Sequence, residues 1–310
     1  MELSKPFRTW QPGTSPRARR RFAYPPVPEA LRPLPSSATI LLAANIVIRN
    51  LAISTFRALV ELGNWVRLLI ATGSETKDRI LEGRAPIGWS GLMEQADRVG
   101  WGSVPLVSLV SFFLGLTMAL LTGYELEKFG TERLVPGLVA VSFTRELGPL
   151  LTGIMVAARI GAAFTAELGT MTVSEEIEAI EAMGIGPLRF LVAPRLLSVL
   201  LLMPCLSVIS NLSALAGAFL VSTHTLHISL QYFALMVEEN LLVRDIWSGT
   251  LKSLCFGAII GVISCYKGLA VAGGAAGVGT STTSSVVVAI ATVIGFDSLF
   301  NICMTSIFER

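Results

Sequence analysis

Long apolar runs, broken only by single charges, occupy most of the chain after residue 98. The five longest runs are 99–124 with no charge, 134–158 with Arg145 and Glu146, 196–223 with no charge, 246–266 with Lys252, and 286–308 with Asp297. A helix that crosses the hydrocarbon core of a bilayer needs about 20 mostly apolar residues. The pattern therefore predicts an all-α integral membrane protein, with five spanning helices in a domain over residues 99–310.

Residues 39–72 are also apolar, but four charged residues interrupt them. These are Arg49, Arg57, Glu61 and Arg67. An arginine at the centre of a span costs at least about 2.5 kcal/mol, whereas a helix in the membrane interface keeps its charges in water. We therefore predict an interfacial (elbow) helix and connector over residues 39–98, with a sixth span as the alternative.

Residues 1–38 form a separate zone that is rich in proline and in basic residues. Seven of the 24 lysines and arginines lie here, opposed only by Glu2 and Glu29. This composition predicts a flexible cytosolic tail that can meet anionic headgroups, with an organelle transit peptide as the alternative. By the positive-inside rule the N-terminus is cytosolic. Five crossings then place the C-terminus outside and the loops 172–195 and 267–285 inside.

Composition supports the membrane assignment and excludes other classes. The chain is 52% hydrophobic and 15% charged, with a mean hydropathy of +0.66, which is too apolar for a soluble domain. The net charge of +2 is too small to imply a nucleic-acid surface, and no compact basic tract interleaved with aromatic residues follows the N-terminal zone, so we predict no nucleic-acid partner. His224 and His227 supply two metal ligands without a third, so we predict no metal site.

A glycine-rich stretch at 273–285, GGAAGVGTSTTSS, has the glycine content of a phosphate-binding loop but lacks its lysine. It also joins two predicted spans instead of a strand and a helix. We therefore expect no bound nucleotide and no other cofactor, so that any ATP is hydrolysed by another chain. The protein itself is predicted to be non-catalytic.

Four charges inside the spans lie at one depth. With a rise of 1.5 Å per residue, Arg145, Lys252 and Asp297 lie roughly 9–16 Å from the outer face, and Glu146 adjoins Arg145. Intramembrane charges line a pathway or pair with one another. One interpretation is an ion-pair network that only holds three helices together. The other, which we favour, is a polar spot in an apolar cavity that meets a lipid headgroup.

The loop 172–195, TVSEEIEAIEAMGIGPLRFLVAPR, predicts a short cytosolic helix. Thr172 and Glu175 fit a capping box, and Gly184 ends the helix. An acidic series and an apolar series then occupy neighbouring faces. They are Glu175, Glu178 and Glu181, and Ile177, Ile180 and Met183. The helix is either a solvated loop helix or, as we favour, a contact for a cytosolic partner.

A spacing of four places Gly153, Ala157 and Gly161 on one face of the second span. Small side chains let helix backbones approach closely. The pattern is typical of a helical bundle or a dimer.

Two runs, FTRELGPLLTGIMVAARIGAAFTAELGTMTVSEEIEAIEAMGIGPLRFLVAPR (143–195) and LKSLCFGAIIGVISCYKGLAVAGGAAGVGTSTTSSVVV (251–288), resemble the MlaE/YrbE permeases of lipid-handling ABC transporters. That family includes a chloroplast lipid-import permease. The resemblance covers about residues 45–310 and leaves the tail outside it.

The resemblance implies a homodimeric permease in the bacterial inner membrane that moves phospholipid or a related lipid between envelope layers. It also implies that a separate ABC ATPase supplies the energy by hydrolysing ATP. It also implies an MCE-domain protein on the far side of the membrane and, in some systems, a STAS-domain subunit. It makes 173–184 the coupling helix, with contact residues Glu175, Glu176, Ile177, Glu178, Ile180, Glu181 and Met183. Cavity positions of the family match Arg145, Glu146, Lys252, Asp297 and Tyr124, while Arg159 and Glu167 match a structural or conformational motif.

Two other functions remain open from the residues alone. An ion-coupled secondary transporter would use Glu146 and Asp297 as a proton relay, although such folds usually show internal repeats and none is visible. A membrane-embedded lipid enzyme would need a positioned histidine or a Cys–His pair, and both histidines lie outside the predicted spans.

Overall fold

The computed structural model describes residues 60–61, 63–68, 70–73 and 89–308, and within these ranges the chain forms helices and no strand. The helices are α1 (Trp89–Glu127), α2 (Glu132–Val173), α3 (Glu176–Ala182), α4 (Leu188–His224), α5 (Leu230–Asn240), α6 (Val243–Leu269) and α7 (Gly274–Phe308). Of these, α1, α2, α4, α6 and α7 are long and apolar enough to cross a membrane. The predicted all-α class and its five spans are confirmed.

The N-terminal predictions fall mostly outside the described residues. The chain divides at Arg67 into two units, and the predicted tail 1–38 belongs wholly to the part that is not described. Within the predicted interfacial segment, residues 60–61, 63–68 and 70–73 are helical. Their position at a membrane interface stays a prediction.

The second span, α2, is built from α-helical segments joined by wider π-helical turns. The segments are Val135–Ser142, Gly148–Val156 and Ala162–Val173, and the turns are Phe143–Leu147 and Ala157–Gly161. At the first turn, the Gly148 N–H donates to the carbonyl of Phe143, five residues back. Pro149 follows and has no N–H with which to continue the α-helical pattern, so the local sequence accounts for this turn.

Helices α1 and α4 pack with their backbones in contact. A Cβ atom added at Gly115 would lie 2.0 Å from the carbonyl oxygen of Ala214, and one added at Gly217 would lie 2.1 Å from that of Phe112. No side chain fits at either position. The hydroxyls of Ser111 on α1 and Ser210 on α4 share a buried hydrogen bond of 2.7 Å. Close approach and a polar link together hold these two spans side by side.

The small-residue face of α2 packs inside the chain. Gly153 faces Phe256 of α6 and Val293 of α7, while Gly161 faces Ser264 of α6. The bundle interpretation of this face is therefore confirmed. The homodimer stays a prediction.

One predicted loop is wrong over most of its length. The glycine-rich stretch 273–285 is helical from Gly274, so the turn between α6 and α7 is only 270–273. Hydroxyl groups along the stretch donate to carbonyls of the preceding turn, as Thr282 does to Val278 at 2.7 Å. Such bonds satisfy polar side chains within the helix itself, which is why a loop-like composition forms the start of a span.

Two other boundaries differ from the predictions. Helix α1 begins at Trp89 instead of near 99, and the segment between the third and fourth predicted spans contains a short helix, α5. Ser229 begins α5 by accepting a hydrogen bond from the backbone N–H of Tyr232. Phe233 then packs edge-on against Phe219 of α4, with ring centroids 5.3 Å apart.

Candidate functional site

Three of the four intramembrane charges meet in one cluster. The Lys252 ammonium forms ion pairs with Glu146 of α2 and, at 3.1 Å, with Oδ1 of Asp297 on α7. Its side chain is only 1% exposed, and its Nζ lies 5.5 Å from the centre of the Phe300 ring. A buried ammonium is tolerated when carboxylates neutralise it. The cluster therefore joins α2, α6 and α7.

The three residues lie at matching positions along their spans. Glu146, Lys252 and Asp297 each lie about one third of the way along their helix from the end assigned to the outer side. Their contact shows that counting residues from the span ends placed them correctly relative to one another.

Arg145 does not join this cluster. Its Nε lies 3.4 Å from Oδ1 of Asp245, whose side chain is only 3% exposed at the start of α6. Asp245 also accepts a hydrogen bond from the backbone N–H of Leu242 and lies 3.8 Å from Nε of Arg244. The sequence analysis missed Asp245 because it precedes the apolar run that began at 246.

Asn301 is a second residue that the sequence analysis missed. Its side-chain amide on α7 donates to Oε1 of Glu146 at 2.5 Å, while Oε2 of Glu146 accepts from Lys252. The amide is uncharged, so a search for charges in the spans passes over it. Its spacing of four residues from Asp297 puts both side chains on one face of α7, which is the available signal.

A cavity of about 440 Å³ opens beside these residues. It is lined by Val141, Ser142, Arg145, Glu146, Leu147, Ser248, Lys252, Asn301, Met304 and Thr305. Arg145 is 52% exposed and Glu146 35% exposed. The wall therefore combines an accessible guanidinium and an accessible carboxylate with apolar side chains from α2 and α7, which suits a ligand that has polar and apolar parts.

Tyr124 lies elsewhere. Its side chain, near the end of α1, is 67% exposed, and its ring lies 5.0 Å from Nζ of Lys128. It does not line the cavity described above. Its assignment as a binding residue stays a prediction that the single chain does not support.

A separate ion-pair group lies toward the other ends of the spans. Glu167 of α2 pairs with Arg98 of α1 and, at 3.0 Å, with Arg195 of α4. Eight residues earlier on α2, Arg159 donates to the hydroxyl of Ser103 on α1 at 2.9 Å. Both residues of the predicted structural motif, Arg159 and Glu167, thus link α2 to its neighbours.

Helix α3 presents an acidic surface, but it does not begin as predicted. The predicted capping box is wrong, because Thr172 lies in the last turn of α2 and donates its hydroxyl hydrogen to the Leu168 carbonyl at 2.7 Å. The chain turns through a left-handed residue, Glu175 (φ 61°), and α3 begins at Glu176. Gly184, with φ of 76°, follows the end of the helix, in agreement with the prediction.

The predicted contact residues of α3 divide into two groups. Ile177 and Ile180 are half-buried. The four glutamates, Glu175, Glu176, Glu178 and Glu181, are exposed, and so is Met183, at 68%. The accessible part of the segment is therefore acidic, with an apolar residue at its end.

Comparison with known proteins gives consistent matches. Residues 92–303 match the family described as Permease MlaE. A probable ABC transporter permease protein of Rickettsia typhi is 37% identical over 204 residues, covering 66% of this chain and 79% of the relative. One of Synechocystis is 34% identical over 233 residues, covering 74% and 88%. Protein TRIGALACTOSYLDIACYLGLYCEROL 1, chloroplastic, of Arabidopsis thaliana is 39% identical over 212 residues, covering 68% and 60%.

Proposed function

The chain belongs to the MlaE permease family of ABC transporters, and from that premise we propose that it moves phospholipid or a related lipid between the membrane and another envelope layer. The observation that carries this proposal is the cavity in which Arg145 and Glu146 are accessible between apolar side chains. A lipid has the same division into a charged headgroup and apolar chains. The name of the Arabidopsis relative includes the name of a glycolipid, which agrees with a lipid as the substrate.

Arg145 is the proposed ligand of the lipid phosphate. Its Nε lies 3.4 Å from Asp245, and its guanidinium donates no side-chain hydrogen bond to the residues that the structure describes. A guanidinium presents a planar set of donors that matches a phosphate, often with two hydrogen bonds. In this proposal Asp245 orients the arginine from behind, and the acyl chains lie along apolar side chains of the spans.

The energy comes from a separate ATPase subunit, which docks on the cytosolic segment 173–184. The exposed glutamates of α3 and the apolar Met183 beside them supply charge and apolar area for such a contact. The alternative of an ion-coupled secondary transporter has less support, because the Rickettsia and Synechocystis relatives are both named as probable ABC transporter permease proteins.

The remaining parts of the proposal concern assembly and location. The permease works as a homodimer in a bacterial inner membrane, with its N-terminus in the cytosol and its C-terminus outside. An MCE-domain protein binds on the outer side, and a STAS-domain subunit joins in some systems. The support for these parts is the family membership and the basic N-terminal zone.

The test is purification of the tagged full-length chain from its own membranes in mild detergent, followed by protein identification and lipid mass spectrometry. We expect an ATPase and bound phospholipid. The Arg145→Gln variant is expected to retain about five- to tenfold less phospholipid, because a charge-assisted phosphate contact is lost. Arg133→Gln, at an exposed arginine beside Tyr232, serves as the matched control. Absence of lipid from the unsubstituted protein would overturn the proposal.

A further inference from the structure

We propose that the cavity selects zwitterionic phospholipid headgroups, with Arg145 binding the phosphate and Glu146 the ammonium group. This inference rests on the proposed function, because it concerns which lipid the same cavity takes. A headgroup of this class carries its phosphate and its ammonium on either side of a short carbon linker. It therefore needs one cationic and one anionic partner close together on one wall.

The exposure of the four intramembrane charges supplies that pair. Lys252 also borders the cavity, but it is 1% exposed, and Asp297 is 9% exposed, so both present little surface to a ligand. Arg145 is 52% exposed and Glu146 is 35% exposed, and both line the cavity. Among the described residues of the wall, the accessible charges are thus one guanidinium and one carboxylate, on adjacent positions of α2.

Lys252 is not an alternative ligand for the phosphate. Two carboxylates and the face of the Phe300 ring surround its ammonium group. A phosphate could reach it only by displacing Glu146 or Asp297, which would leave a carboxylate without its counter-ion at low exposure. The cation that a headgroup meets is therefore Arg145.

Both accessible groups are held in place by other residues. Asp245, which is almost completely buried, lies 3.4 Å from Nε of Arg145, and Arg145 lines the cavity with half of its side chain exposed. Lys252 and Asn301 each bind one oxygen of Glu146. A carboxylate has further lone pairs beyond those two bonds, so Glu146 can still accept hydrogen bonds from an ammonium group.

The cavity distinguishes zwitterionic from anionic headgroups because an anionic headgroup offers a partner to Arg145 but none to Glu146. A phosphoglycerol headgroup places its phosphate at Arg145 but brings no cation to Glu146, and it dehydrates that carboxylate without compensation. A zwitterionic headgroup supplies both charges. An ion pair at a partly exposed site contributes up to about 1 kcal/mol, so we expect a preference of about three- to fivefold.

The experiment measures which lipid the full-length chain retains. The purified protein is exchanged into mixed micelles with equal amounts of dioleoyl phosphatidylethanolamine and dioleoyl phosphatidylglycerol, and the bound lipids are counted by native mass spectrometry. We expect about three- to fivefold enrichment of phosphatidylethanolamine. Glu146→Gln is expected to bring the ratio to about one.

Two further variants keep the result interpretable. Asp297→Asn also removes a carboxylate from Lys252, but Asp297 does not line the cavity. We therefore expect it to lower thermal stability as Glu146→Gln does. The ratio of bound phosphatidylethanolamine to phosphatidylglycerol should stay closer to that of the unsubstituted chain. Glu125→Gln, in an exposed pair with Lys128, controls for a change of surface charge. Lipid bound at a ratio of one by the unsubstituted chain would overturn this inference alone, whereas no bound lipid would overturn the proposed function.

Discussion

At the scale of single residues, Lys252 is the least exposed charged residue in the part of the chain that the structure describes. Its ammonium is buried between Glu146 and Asp297 on two other helices. Removing one partner of a buried ionic group leaves the others uncompensated and costs about 3–5 kcal/mol. We therefore expect Lys252→Met to lower the melting temperature of the detergent-solubilised protein strongly.

A variant that lacks all three charges tests whether the loss of stability in Lys252→Met comes from carboxylates left without a counter-ion. The triple change Glu146→Gln, Lys252→Met and Asp297→Asn removes every charge of the cluster, so most of the lost stability should return. Lys128→Met, which breaks the exposed pair with Glu125, should change stability by less than about 0.5 kcal/mol. A Lys252→Met protein as stable as the unsubstituted one would contradict the proposed burial cost.

The charged residues of the site could be found from sequence because ionisable groups are conspicuous in apolar spans. That search found Glu146, Lys252 and Asp297 and placed them at one depth. It could not tell which charges would pair, and so it missed that Arg145 contacts Asp245 instead. Pairing depends on the rotation of each helix about its axis, which a pattern of charges along one chain does not specify.

At the scale of helices, a glycine sets the distance between α2 and α6 beside the site. A Cβ added at Gly249 would lie 2.1 Å from the carbonyl oxygen of Thr144, one residue before Arg145. Gly249→Ala therefore forces the two backbones apart, at a cost of at least about 2 kcal/mol. We expect lower thermal stability together with reduced lipid retention.

The matched control is another helical glycine. A Cβ at Gly295 on α7 meets nothing within 4 Å, so Gly295→Ala should be neutral or stabilise by up to about 1 kcal/mol through helix propensity. Equal effects of Gly249→Ala and Gly295→Ala would show that close backbone contact is not what matters at Gly249.

The sequence predicted correctly which segments form spans, but it predicted the first residues of those spans less well. Apolar length identifies a span, but its ends depend on how polar groups are satisfied. The hydroxyls of Thr280, Thr282 and Thr283 donate to carbonyls of their own helix. Thr172 bonds within α2 instead of capping α3. Both stretches contain residues that favour turns in water, and only their bonding inside the bundle makes them helical.

At the scale of the whole molecule, the topology predicts opposite sides for two exposed segments. The turn at 128–131 joins α1 and α2 at one end of the bundle, and α3 joins α2 and α4 at the other. In a chain whose four cysteines are replaced by alanine, Lys128→Cys should react with a membrane-impermeant maleimide in intact cells. Glu178→Cys should react only after the membrane is opened, and less once the ATPase is bound.

The reverse pattern of labelling would mean that the N-terminus lies outside and that α3 cannot meet a cytosolic ATPase. Labelling of Glu178→Cys that is unaffected by the ATPase would instead contradict docking on this segment while leaving the orientation intact.

The contacts of α7 determine how the cavity can change shape. Two polar side chains of α7 contact the neighbouring spans, Asp297 at Lys252 of α6 and Asn301 at Glu146 of α2. A movement of α7 away from α2 and α6 must break both contacts together, because they lie one helical turn apart. Widening of the cavity on that side is therefore a cooperative step with a threshold.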